Sequence, residues 1–156
     1  MISELSIIHP SAKIGDNVTI MSGAKIVKNT KMGSNNKIYH SAVIGGDPQD
    51  LKFKGEETTL EIGDNNMFRE FTTINRGTAS RQKTVIGSNC LIMAYCHVAH
   101  DCVLGDNIIT SNSVQLAGEV EVDDYAIVSG GVLVHQFTKI GKHVIVQGGA
   151  LVNKDI

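Results

Sequence analysis

Residues 92–118 read IMAYCHVAHDCVLGDNIITSNSVQLAG, and the spacing of their aliphatic side chains decides the fold. Ile92, Val98, Leu104 and Leu116 keep a period of six, with Thr110 in the single place that is not aliphatic. Outward toward the C-terminus the register continues through Val122, Val128, Val134, Ile140 and Val146 to Val152. Toward the N-terminus it runs through Ile86, then Ile74, Phe68 and Ile62, and again from Ile44 back to Ile8. Four places after each of these sits a second, smaller inward candidate, as at Ala12, Val18, Ala24, Ala42, Cys90, Cys96, Cys102, Ile108 and Val114.

An amphipathic helix needs apolar spacing of about 3.6 and a lone strand a spacing of about 2. A period of six fits neither, but it fits short strands joined by corners, each hexad giving one bulky and one small inward residue. Glycine directly follows the aliphatic position at Gly15, Gly33, Gly45, Gly63, Gly87, Gly105 and Gly141, often with Asp/Ser-Asn after it. Such residues tolerate the left-handed backbone that a sharp corner requires. The pattern predicts an all-β fold, a parallel β-helix shaped as a triangular prism. With three hexads per coil, residues 18 apart stack one strand spacing from each other, roughly 4.8 Å. The spacing does not fix the handedness.

The chain is expected to form a single domain over residues 1–156, with two loops near 45–61 and 76–85. Both segments are too polar and irregular to be coils. A loop on a rigid scaffold is where sites are usually built, which suits the first; the second reads equally well as a tolerated surface insertion.

Composition narrows the function classes. Fourteen Lys and Arg against 16 Asp and Glu give a net charge of −2, with no basic run to meet nucleic acid. No apolar stretch is long enough for a membrane span, and Met1 to Pro10 lacks the pattern of a secretory leader, so a soluble cytoplasmic protein is expected. Three cysteines suit a reducing compartment better than a disulfide framework. All three fall in the small inward slot, where free cysteine acts as a small hydrophobe, and no Cys-x-x-Cys points to a metal.

The polar residues that break the monotony converge. His97 and His100 straddle a corner, Asp101 follows, and the 18-residue stacking places Gly118 and then Gln136 over His100. Glu119 lies over Asp101, and His135 lies over Ala117 and Ala99. A histidine beside a carboxylate makes a general base near neutral pH, with the carboxylate fixing the ring tautomer. A glycine amide one coil away can donate to a developing oxyanion, as acyl transfer requires. There is no Gly-x-Ser-x-Gly elbow and no exposed cysteine, so direct transfer to an acceptor activated by His100 is expected, with no acyl-enzyme, cofactor or metal.

Four motifs in this order carry a family resemblance: Gln49-Asp50-Leu51-Lys52-Phe53-Lys54-Gly55-Glu56, then Arg69-Glu70 through Thr73-Ile74-Asn75-Arg76-Gly77-Thr78, then His97-Val98-Ala99-His100-Asp101-Cys102, then Val134-His135-Gln136-Phe137. They resemble the UDP-N-acetylglucosamine acyltransferases of lipid A biosynthesis over nearly the whole chain. The resemblance implies a left-handed helix, a homotrimer, and sites between neighbouring subunits. It implies transfer of an R-3-hydroxyacyl chain from acyl carrier protein to the 3-hydroxyl of UDP-N-acetylglucosamine. Carried over by motif, His100 is the base, Asp101 its partner and the Gly118 amide the oxyanion donor. Asp50, Lys52, His97, His135 and Gln136 then contact the sugar nucleotide or acyl group, with Glu119 where many members have histidine. Gly148, within Val144-Ile145-Val146-Gln147-Gly148, falls in the acyl-chain measuring region. The segment Ile8 to Ile44 is about one coil shorter than the family's, and Lys154-Asp155-Ile156 stands where the family continues into a helical capping domain. Three other readings compete: a coenzyme A-dependent hexapeptide acetyltransferase, an inactive trimeric fragment, and a γ-class carbonic anhydrase with zinc on three imidazoles.

Overall fold

The computed structural model describes residues Met1–Ile156. Twenty-two short parallel strands form three sheets, one of eight strands and two of seven. Consecutive strands belong to successive sheets, so the chain winds round a triangular prism, and the winding is left-handed. The first sheet carries His97–Val98, Gln115–Leu116, Leu133–Val134 and Leu151–Val152. The second carries Val103–Leu104, Glu121–Val122 and Lys139–Ile140, and the third Ile109–Thr110, Ile127–Val128 and Ile145–Val146. Above residue 83 the register is the expected 18, pairing His97 with Gln115 and Gln115 with Leu133.

Each two-residue strand turns its second side chain inward, and the aliphatic hexad residues form one buried column per sheet. The small slot is less uniform than its aliphatic members suggest. Asn36, Asn66, Thr30, Thr72, Thr84 and Thr138 also occupy it and are buried. Asn36 Nδ2 donates to the carbonyls of Gly33 and Gly63 at 3.0 and 2.9 Å, and its Oδ1 accepts the Asn66 N–H at 2.8 Å. Buried polar groups are tolerated when paired in this way. Thr110, the break in the hexad, is buried too, its hydroxyl 3.5 Å from Cys96 Sγ.

The corners keep the asparagine part of the expectation and correct the glycine part. The left-handed φ falls on the third residue after the aliphatic one, at Asn89 (59°), Tyr95 (60°), Asp101 (61°), Asn107 (58°) and Glu119 (60°). The glycines directly after the aliphatic position, Gly45 excepted, do not carry it. They are there for proximity: a Cβ on Gly87 would sit 2.5 Å from the Gly105 carbonyl oxygen one coil on.

The loops are also shorter than the sequence suggests. Strands run to Gly46 and restart at Thr59, then run to Asn75 and restart at Lys83, so the excursions are 47–58 and 76–82. Val43 therefore pairs with Thr73, 30 positions on, and Thr73 with His97, 24 positions on. Both excursions project at the corner between the first and second sheets, where His100 lies.

Candidate active site

His100 and Asp101 follow the strand His97–Val98 and turn the chain from the first sheet to the second. The left-handed backbone of Asp101 directs its carboxylate back beneath the imidazole, and His100 Nδ1 meets Asp101 Oδ2 at 2.8 Å. Asp101 is fully buried. Its Oδ2 also accepts the Thr78 hydroxyl at 2.5 Å, and its Oδ1 accepts the Thr78 and Arg81 N–H groups at 2.9 and 3.2 Å. Its own N–H donates to Thr84 Oγ1 at 2.8 Å. With a carboxylate as partner, Nδ1 carries the ring proton and Nε2 presents a lone pair, the tautomer a general base needs.

Nε2 faces Asp50 Oδ2 at 4.0 Å, brought over by the loop 47–58. On the other side the ring lies against Gly118, where a Cβ would stand 2.5 Å from His100 Cε1. The Gly118 N–H donates to no acceptor in the chain. At the corner between the second and third sheets the Ser88 and Asp106 N–H groups are capped by Asp106 and Asp124, whereas at Gly118's own corner those of His100 and Gln136 likewise donate to no acceptor in the chain. Gly118 thus offers a free amide beside the His100 ring, a placement suited to oxyanion stabilisation.

These groups open onto a cleft of about 430 Å³ lined by Gln49, His97, Ala99, His100, Gln115, Leu116, Ala117, Gly118, Leu133, Val134 and Gln136. His97 Nδ1 is 2.7 Å from Thr73 Oγ1, and burial pulls its pKa below the ordinary value, with nearby His100 acting in the same direction. It is a neutral hydrogen-bonding group near pH 7. The three cysteines are buried, and burial pushes Cys90 up to about 11 and Cys102 up to about 12, so neither supplies a thiolate near neutral pH.

The expected residues do not all meet here. His97, His100, Gly118 and Gln136 line the cleft, and Asp101 lies behind them. Asp50 reaches the His100 ring, and its Oδ1 accepts the N–H of Lys52, whose side chain is exposed. His135 lies one coil on, in a smaller adjoining groove with Leu133, Val134, Leu151, Val152 and Asn153. Gly148 is exposed at a different corner, between the third and first sheets, three coils beyond Ala94. Glu119, expected among the acceptor contacts, does not line the cleft: Ser80 Oγ donates to its Oε1 at 2.9 Å and Arg81 Nε stands 3.7 Å from its Oε2.

Gln49, Thr73 and Thr78 stood in the family motifs with no role given them, and Arg81 and Gln115 were not singled out by sequence reasoning. Thr78 lies 23 residues from Asp101 in a segment without periodicity, so stacking arithmetic could not reach it. The loop 76–82, readable as a surface insertion, is what anchors the carboxylate.

A β-helix of hexads with a histidine–carboxylate pair at a corner defines a class, the hexapeptide-repeat transferases. Residues 11–46 and 83–118 match the family described as bacterial transferase hexapeptide (six repeats). A UDP-N-acetylglucosamine acyltransferase from Bacteroides fragilis superposes with a TM-score of 0.94 at 49% identity, over 100% of this chain and 68% of that one. The homologous structure from Acinetobacter baumannii gives a TM-score of 0.95 at 39% identity, over 99% and 67%. An acyl-[acyl-carrier-protein]–UDP-N-acetylglucosamine O-acyltransferase of Psychromonas ingrahamii is 68% identical over 76 residues, 48% of this chain and 29% of that protein. The chain belongs to the UDP-N-acetylglucosamine acyltransferase family. It spans about two thirds of the related structures and, in the matched segments, less than half of its curated relatives.

Proposed function

We propose that this chain is the β-helix of an acyltransferase that moves an R-3-hydroxyacyl group from acyl carrier protein to the 3-hydroxyl of UDP-N-acetylglucosamine, the first step of lipid A biosynthesis. The observation that carries this reading is the His100 ring, fixed by Asp101 on one side and set against the free Gly118 amide on the other. His100 Nε2 takes the proton of the sugar hydroxyl as its oxygen attacks the thioester carbonyl. The carbonyl oxygen, gaining charge, lies toward the Gly118 N–H. Collapse expels the thiolate of the carrier, which recovers the proton from His100, and the ester remains on the sugar. Asp50 and Lys52 on the loop, with His97, Gln136 and His135 along the wall, supply sugar-nucleotide and acyl contacts.

A homotrimer is part of the reading. The exterior of the third sheet carries Met67, Leu91, Ile109, Ile127 and Ile145 in one column, an apolar stripe on a flat face. In a cyclic assembly such a stripe meets a different face of the next copy, and the first sheet with its cleft is the adjoining face. Gly148 stands at the corner those two faces share, where its exposure leaves room for a long acyl chain. The cytoplasmic placement belongs to the same proposal, and three unpaired buried cysteines accord with it.

The test is turnover of a 3-hydroxyacyl carrier-protein thioester with UDP-N-acetylglucosamine, run beside acetyl-coenzyme A. The chain is assayed alone and within a chain of its relatives' full length. His100→Ala should abolish the carrier-dependent rate; an unchanged rate in that variant, or a preference for acetyl-coenzyme A, rejects the reading. Gly148→Met should move the preference toward shorter acyl chains.

A further inference from the structure

Three of the four donors that hold the Asp101 carboxylate come from residues 78–81, which belong to no coil. A loop of that kind orients a catalytic carboxylate only if something orients the loop. From below it is tied by Thr58 Oγ1, which donates to the Gly77 carbonyl at 2.5 Å, and by the Gly77 N–H, which donates to the Thr59 carbonyl at 3.1 Å. From above it is tied through Glu119. Ser80 Oγ donates to Glu119 Oε1, and Arg81 spans Glu119 Oε2 at 3.7 Å and Glu121 Oε1 at 2.6 Å. Glu121 is in turn 2.9 Å from Lys139.

Glu119 also follows Gly118 in the chain, and its N–H donates to the His100 carbonyl at 3.0 Å. It keeps a left-handed backbone, φ 60°, which costs a non-glycine residue about 1 kcal/mol. A carboxylate meeting substrate would need an oxygen turned into the cleft, and both of its oxygens are engaged by the loop. We propose that Glu119 is a positioning residue: by holding Ser80 and Arg81 it fixes the segment whose amides bind Asp101, and so sets the tautomer of the His100 ring beside the Gly118 amide. The inference rests on the reading of His100 as the general base.

The experiment combines nitrogen NMR of histidine-labelled protein with steady-state kinetics. In the parent chain His100 should show the Nδ1–H tautomer. Glu119→Ala should mix the tautomers and lower kcat about tenfold, while KM for the sugar nucleotide moves by less than about twofold. Ser80→Ala, the milder change, should move both in the same direction by less. Arg81→Ala combined with Glu119→Ala should be no worse than the poorer single variant, because one clamp is lost in either case. A raised KM with unchanged kcat and tautomer would show Glu119 to be a substrate contact and overturn the inference. So would an unmoved His100 spectrum in both Glu119→Ala and Ser80→Ala. The spectrum does not depend on turnover, so a parent chain with no transferase rate but a shifted variant spectrum rejects the proposed function while upholding the loop's hold on His100.

Discussion

Gly118 and His100 are neighbours because a hydrogen occupies the place of a methyl group. The Gly118 backbone is not left-handed, so alanine there strains nothing locally and tests only the approach of the ring. Gly118→Ala should push His100 out of line and lower kcat by about a hundredfold, with the melting temperature changed little. Asp101→Asn asks a different question. An amide facing two N–H groups and a hydroxyl would turn its NH2 toward donors or toward Nδ1 and favour the wrong tautomer. We expect kcat to fall by about a hundredfold or more, together with about 2 kcal/mol of stability from mismatched buried groups. Denaturant melts beside kinetics would separate the two, and full activity in Asp101→Asn would refute the orienting role. His97 sets a pH dependence. Its folded pKa lies below the unfolded value of about 6.5, so the unfolded chain binds the proton more readily. Stability is therefore intact above that pH and falls as pH drops toward the folded value. His97→Asn should flatten the fall of the melting temperature below about pH 6.5.

Among the elements, corners and loops obey different rules, and the sequence displays them unequally. The corners repeat, so the hexad announced them, but it did not say which residue turns. Asn107 does so at φ 58°, and Asn107→Ala should lose about 1 kcal/mol while Asn107→Gly stays near the parent in a urea titration. Equal losses in the two variants would show that side-chain bonding, not backbone strain, dominates there. The loops carry no period at all. That is why the His100–Gly118 contact could be counted out in steps of 18, whereas Thr78 on Asp101, Asp50 beside Nε2 and Ser80 on Glu119 could not. They depend on where two irregular segments fold back, and Arg76 joins those segments. Its buried guanidinium pairs with Asp47 and lies 5.2 Å from the Phe53 ring centroid. Arg76→Gln should free the loop 47–58, read as faster tryptic cleavage after Lys52 or Lys54 with the coils left intact. Unchanged cleavage kinetics would show that other contacts hold the loop.

At the scale of the whole molecule, the inward columns, the buried cysteines and the prism itself were legible because, away from the two excursions, a side chain in a coil repeats the environment of the one 18 positions away. The polar occupants of the small slot were not. Threonine and asparagine look like surface residues until the carbonyls that satisfy them are in view. The proposed assembly also acts at this scale: Ile109→Glu places a charge in the middle of the third sheet's apolar stripe. Sedimentation should then show a monomer that keeps its β-structure, whereas a trimer surviving that substitution would move the interface to another face. The two excursions lengthen the register by 12 and by 6 residues, each a whole number of prism sides. Each leaves and rejoins the prism at the same corner, so its length can change without rotating any rung beyond it. The scaffold keeps its shape while its recognition hardware is exchanged, which makes these two junctions natural places for an engineer to graft a new specificity.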